Sequence, residues 1–175
     1  MFEIRIHSRG GQGGVTAAKL LAQAAFNDHK YATAAPFYGA ERRGAPVVSF
    51  VRISDEPIKV YSQIRSPDLV VVLDSSVMDV IDVLHGIKPD GTVLINSAHV
   101  MPMDGHITHH VDLTGIALSL GLVIAGSPIL NTPVLGALAK MGIISQESAM
   151  KAISGTFTDE RNVKAAEQAY AEVTV

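Results

Sequence analysis

Residues 69–74 read LVVVLD and residues 92–96 read TVLIN. Neither run offers a polar alternate that could face water, so each reads as a strand of a parallel sheet buried on both faces. The rest of the chain alternates strand and helix patterns around them. Phe2, Ile4 and Ile6 alternate with Glu3, Arg5 and His7, the period of a strand half buried or at the edge of the buried region. Residues 15–27 read as a helix rich in Ala and Leu, with Leu21, Ala25 and Phe26 inward. Residues 31–35 and 47–53 read as strands, and 58–64 as another after a turn at 54–57, so that the 47–64 region adds an antiparallel hairpin. Ser75 or Ser76 caps a helix running to about His85, and Pro89-Asp90-Gly91 is a turn. A strand at 107–111 and helices at 113–120, 133–141, 146–153 and 159–171 complete the pattern. The expectation is one domain over residues 1–175, a three-layer α/β fold with a mostly parallel sheet.

Composition narrows the function. The net charge of −3, without a basic tail, argues against nucleic acid as the main partner, since neutralising phosphates takes clustered Lys and Arg. No apolar run reaches the roughly 20 residues that span a bilayer, and MFEIRIHSR at the start has no apolar core of a signal peptide. The expected location is the cytoplasm. The chain has no cysteine. It cannot hold an iron–sulfur cluster by thiolates, form a disulfide or use a Cys nucleophile.

The motif that carries chemistry is SRGGQGG at residues 8–14, between the first strand and the first helix. A tight strand-to-helix turn leaves backbone N–H groups facing outward at a helix N-terminus, which favours an anion, usually a phosphate. Arg9, Gly10, Gly11, Gln12, Gly13 and Thr16 are the candidate contacts. The loop is not a Walker A motif, because Ala18 rather than Gly precedes Lys19. As a dinucleotide fingerprint starting at Gly11 it would need a third glycine where Thr16 stands. It would also need an acid after the second strand, which ends Thr33-Ala34-Ala35-Pro36. NAD is disfavoured. The other reading of the glycines is close packing of the turn against the sheet.

Other constellations have simpler readings beside functional ones. In Asn131-Thr132-Pro133 the threonine is placed to cap a helix with proline at its first position, and a second helix N-terminus near a ligand is the alternative. Asp74 ends a buried strand, where α/β sheets place ligand-binding residues, and also fits a helix cap. His99, His106, His109 and His110 cluster around Asp104-Gly105 without any zinc-ligand spacing. They read as exposed side chains flanking a turn.

Three segments, EIRIHSRGGQGGVTAAKLLAQAA, APFYGAERRGAPVVSFVRIS and NTPVLGALAK, resemble in order and spacing the gamma subunit of 2-oxoacid:ferredoxin oxidoreductases. The likeness covers nearly the whole chain, and RGGQG followed some thirty residues later by ERRGAP is its specific combination. ERRGAP and the preceding FYG look closer to the pyruvate and branched-chain 2-oxoacid enzymes than to the 2-oxoglutarate ones. Gly14 departs from the resemblance, which leads us to expect alanine there and a slightly looser helix start.

The resemblance implies a Rossmann-like domain within a multi-subunit enzyme that oxidatively decarboxylates a 2-oxoacid to an acyl-coenzyme A and reduces ferredoxin. It implies alpha, beta and ferredoxin-like delta partners, with thiamine diphosphate and the iron–sulfur clusters on those partners. The isolated chain would be inactive and would help to form the coenzyme A site. On that view the glycine loop, Arg42 or Arg43, Asn131 and Thr132 face the coenzyme or the interface beside it, and Phe37 and Tyr38 anchor a partner or plug their own loop. The alternatives are a stand-alone nucleotide-binding protein and a purely structural module whose glycines serve packing.

Overall fold

The computed structural model describes residues 1–37, 44–103 and 105–175. Six strands form one sheet in the order β2-β3-β1-β4-β5-β6. They are β1 (Phe2–Arg9), β2 (Tyr31–Phe37), β3 (Pro46–Ser54), β4 (Leu69–Val72), β5 (Thr92–Asn96) and β6 (Ile107–Val111). β1, β4, β5 and β6 run parallel to one another, while β3 is antiparallel to both β1 and β2. The two apolar runs are interior parallel strands, as their composition demands. Leu69, Val71 and Leu94 enter one core, and Val70, Val72, Val93 and Ile95 enter the other.

The larger core lies under α1 (Gly14–Asn27), α2 (Leu113–Ser119), α3 (Pro133–Lys140), α4 (Gln146–Thr156) and α5 (Arg161–Glu172). Within α1, Leu21 and Ala25 point inward, but Phe26 is 67% exposed and belongs to the outer face. α3 and α5 approach so closely that a Cβ on Gly136 would overlap the Ala166 carbonyl oxygen. Beside α2, a small separate hairpin pairs β7 (Val123–Ile124) with β8 (Ser127–Pro128).

Three expectations are corrected. The 58–64 region is not a strand and forms no hairpin with 47–53. β3 is already hydrogen-bonded on one side to β1 and on the other to β2, so no edge remains for it. The helix to His85 is a five-residue 3-10 turn, Ser75–Asp79, capped by Asp74 and not by a serine. Beyond it the chain is rich in β-branched residues and aspartate, poor helix formers, and its carbonyls serve another purpose. Arg5 donates from Nη2 to the carbonyls of Val83 (2.7 Å) and His85 (2.8 Å). The polar face of β1 is therefore not at the boundary of the core but buried beneath this segment. Arg5 also donates from Nε to His7 Nε2 at 3.1 Å, and Glu3 pairs with Arg52 at 2.8 Å. Burial, and then the neighbouring Arg5 charge, push His7 down to a pKa of about 4.

Among the described residues no helix is long and apolar enough to cross a membrane, and no three metal-ligating side chains converge. Asp104, centre of the sequence-predicted turn, lies outside the described residues. His106, His109 and His110 each spend Nδ1 on a hydrogen bond, to Gly91 O, Thr174 O and Thr174 Oγ1.

Candidate functional site

The site forms where β1 ends. β1 leads through α1 to β2 on one side of the sheet, while β4, its parallel neighbour, leads on to β5 and β6 on the other. Chain connections thus diverge between β1 and β4, and a crevice opens at the carboxyl ends of such strands. The glycine loop fills the mouth of this crevice. Gly10 is tied to the far side of the neighbouring loop, donating to Ala45 O at 2.9 Å and accepting from Gly44 N at 3.1 Å. Gly13 caps α1 with φ 87°, a left-handed conformation that an L side chain resists, and a Cβ there would sit 3.0 Å from the Asn131 Cβ.

No side chain caps α1. Among the described residues, nothing accepts a hydrogen bond from the N–H groups of Gly11, Gly13, Gly14, Val15 or Thr16. A cavity of about 650 Å³ opens on this helix terminus. Asn131 forms part of its wall; the residue is 6% exposed, and its buried Oδ1 finds no partner among the described residues. Unpaired backbone donors and a helix dipole in one recess are the elements of an anion site, and the Asn131 Oδ1 beside them is an acceptor for a donor group.

Of the ten sequence-predicted residues, Arg9, Gly10, Gly11, Gly13, Thr16 and Asn131 line this one cavity. Gln12, half buried, and Thr132, fully buried, are not among the lining residues. Thr132 occupies the cap position of α3, with Pro133 first in the helix, but it makes no capping bond. Its hydroxyl, fully buried, instead donates to Asn162 Oδ1 at 3.2 Å and ties α3 to α5. Arg42 and Arg43 lie outside the described residues, as does Tyr38; Phe37 is half exposed at the end of β2.

Arg9 lines the cavity, but its guanidinium is held by the protein. Nε donates to Ser76 Oγ at 2.7 Å, Nη2 to Ser76 O at 3.0 Å and Nη1 to Gly44 O at 2.8 Å. Gln12 accepts from Arg9 N at 2.8 Å and donates to Asp74 Oδ2 at 2.6 Å. Burial alone would raise the Asp74 carboxyl. Hydrogen bonds from Ser76 and Gln12, with the Arg9 charge, outweigh it and hold the group below the usual carboxylate range.

The far wall was not foreseen from sequence. Leu122, Val123, Ile124, Ile129 and Phe157 make it largely apolar, and Arg161 and Asp159 form an ion pair at 2.6 Å on its rim. Arg161 also donates to the carbonyls of Leu120 and Gly121. These residues come from segments more than a hundred positions after the glycine loop. Only the tertiary packing brings them opposite it, and no local motif announces that. Gly14 finds its reason here as well: a Cβ at this position would run into the Ser8 side chain.

An open α/β sheet with a bare glycine turn feeding a helix, and a recess faced by unpaired N–H groups where the strand connections diverge, defines a Rossmann-like domain. The chain belongs to the pyruvate ferredoxin/flavodoxin oxidoreductase family, whose model matches residues 3–172. It is 51% identical over 174 residues to the pyruvate synthase subunit PorC of Methanothermobacter marburgensis, covering 97% of this chain and 96% of that one. It is 48% identical over 187 residues to the common gamma subunit of the pyruvate/ketoisovalerate oxidoreductases of Thermococcus kodakarensis, covering 100% and 98%. The crystal structure of the pyruvate oxidoreductase subunit PORC from Thermotoga maritima superposes with a TM-score of 0.85 at 36% identity, over 99% of this chain and 97% of that one.

Proposed function

We propose that this chain works as the gamma subunit of a multi-subunit, pyruvate-type 2-oxoacid:ferredoxin oxidoreductase, and that its glycine-loop cavity supplies part of the coenzyme A site. The family membership, and relatives that are gamma or PorC subunits matched over nearly their full length, support the first part. The observation that carries the second is the convergence of unpaired α1 N–H groups with Asn131 in one recess. In the reaction a 2-oxoacid, coenzyme A and two oxidised ferredoxins give an acyl-coenzyme A, carbon dioxide, a proton and two reduced ferredoxins.

This chain has no cysteine with which to hold a cluster. The reading therefore assigns the iron–sulfur clusters and thiamine diphosphate to alpha, beta and ferredoxin-like delta partners in a cytoplasmic complex. The chain's own part is binding and placement. The α1 N–H groups and Thr16 would hold a coenzyme phosphate, the Asn131 Oδ1 would accept from an N–H or O–H group of the coenzyme, and the apolar far wall would exclude water from the uncharged arm.

The test begins with the chain purified anaerobically from its native cells. Partners containing iron and sulfur should accompany it, and the complex should reduce ferredoxin given pyruvate and coenzyme A. In that complex Asn131→Ala should raise KM for coenzyme A about tenfold, a loss near 1.4 kcal/mol, with kcat little changed. A chain that purifies alone and binds NAD(P) or a flavin would instead establish the stand-alone nucleotide-binding reading. An active complex whose KM ignores Asn131 would keep the subunit assignment and remove the site.

A further inference from the structure

We propose that Asp74 is a positioning residue for the glycine-loop site, acting through Gln12 to hold the loop in the shape that aims its N–H groups. The proposal rests on the reading of that cavity as a coenzyme site. Its basis is a closed ring of hydrogen bonds. Gln12 Oε1 accepts from Arg9 N at 2.8 Å, and Gln12 Nε2 donates to Asp74 Oδ2 at 2.6 Å. Asp74 Oδ1 accepts from Ser76 N at 3.0 Å and from Ser76 Oγ at 2.6 Å. Ser76 in turn receives the Arg9 guanidinium at Oγ and at its carbonyl. The ring leaves from the backbone of Arg9 and returns to its side chain, so residues 9–12 are clamped at both ends.

Gln12 carries the constraint onward. Its carbonyl accepts from Leu130 N at 3.2 Å, which seats Asn131 against Gly13 on the opposite wall. Yet Gln12 does not itself line the cavity. Both ends of its amide are spent inside the protein, so it shapes the site without touching what binds there. Asp74 differs from a simple cap in the same way. Capping the 3-10 turn uses Oδ1 alone; Oδ2 is committed to Gln12.

That division gives a test by reversal of polarity. Asp74→Asn keeps an acceptor for Ser76, since asparagine caps as well as aspartate, but sets an amide NH₂ against the NH₂ of Gln12. Gln12→Glu sets two carboxylates face to face. The double variant Gln12→Glu/Asp74→Asn restores every bond of the ring with one donor reversed, at unchanged net charge. In the assembled enzyme each single variant should raise KM for coenzyme A about tenfold with kcat within about twofold, and the double variant should return KM to within about twofold of the parent.

Amide hydrogen exchange at Arg9, Gly10, Gln12 and Leu130, whose N–H groups are hydrogen-bonded within or to the loop, is read in parallel, in the complex and on the full chain alone, so a variant that fails to assemble still reports on the loop. Exchange should quicken in each single variant and slow again in the double. That pattern with KM unmoved would uphold the ring and overturn the coenzyme reading on which it was placed. Unchanged exchange in the single variants, or a double variant no better than either, would overturn the positioning role.

Discussion

Replacing Gly13 by alanine tests whether the loop's conformation and its opposite wall act together. Gly13 has φ 87°, and forcing an L residue into that region costs roughly 1–2 kcal/mol. The new Cβ would also lie 3.0 Å from the Asn131 Cβ, an atom that cannot swing away without its backbone. Gly11 is the internal control. It has φ 97°, but a Cβ there meets nothing within 4 Å, so Gly11→Ala carries strain without collision. Both variants should lose the strain term, and Gly13→Ala should lose about 1 kcal/mol more from overpacking. In a domain of this size 1 kcal/mol is about 2–4 °C, so Gly13→Ala should melt about 4–12 °C below the parent and at least 2 °C below Gly11→Ala. Thermal unfolding of the full chain by circular dichroism reads the difference, and KM for coenzyme A in the complex should follow it. Equal melting temperatures and equal KM for the two variants would refute the coupling of loop to wall.

Two further outcomes concern the packed interior. Gly136→Ala pushes a methyl group into the Ala166 carbonyl and should destabilise the full chain by about 3 kcal/mol, measured by urea unfolding; a change below about 0.5 kcal/mol would mean α3 and α5 are not so close. His7 is kept neutral, with its pKa lowered from 6.5 to about 4, so the unfolded chain binds the proton first as pH falls. Its stabilising contribution is whole above pH 6.5 and drains away towards pH 4, in total about 3 kcal/mol, and His7→Gln should flatten the stability–pH curve across that window.

Much of the fold was legible because it rests on local patterns. The apolar runs at 69–72 and 92–96 had to be buried on both faces, and they are. The five helices ran close to their expected spans because apolar periodicity and the Pro133 start signal are local. The errors share a cause. Residues 58–64 had strand composition but β3 had no free edge to pair with them, and 80–85 had helix length but carbonyls claimed by Arg5. The alternation in β1 was correct in period, yet its polar side proved buried, because pairing between Arg5 and His7 and between Glu3 and Arg52 makes that burial tolerable.

By itself the sequence determined which stretches must be buried, that a bare glycine turn precedes a helix, and, from the absence of cysteine, that no thiolate-held cluster resides in this chain. These depend on composition and short spacing, which any chain carries unfolded. The tertiary structure alone decided that Arg9 and Gln12 belong to a ring closed by Asp74 and Ser76. It alone set Asn131, Phe157 and Arg161 across from Gly13 in one cavity. Directed bonds and shared walls between residues some sixty to a hundred and fifty positions apart exist only once the sheet and the α3–α5 pair have packed, and no local pattern encodes their partners.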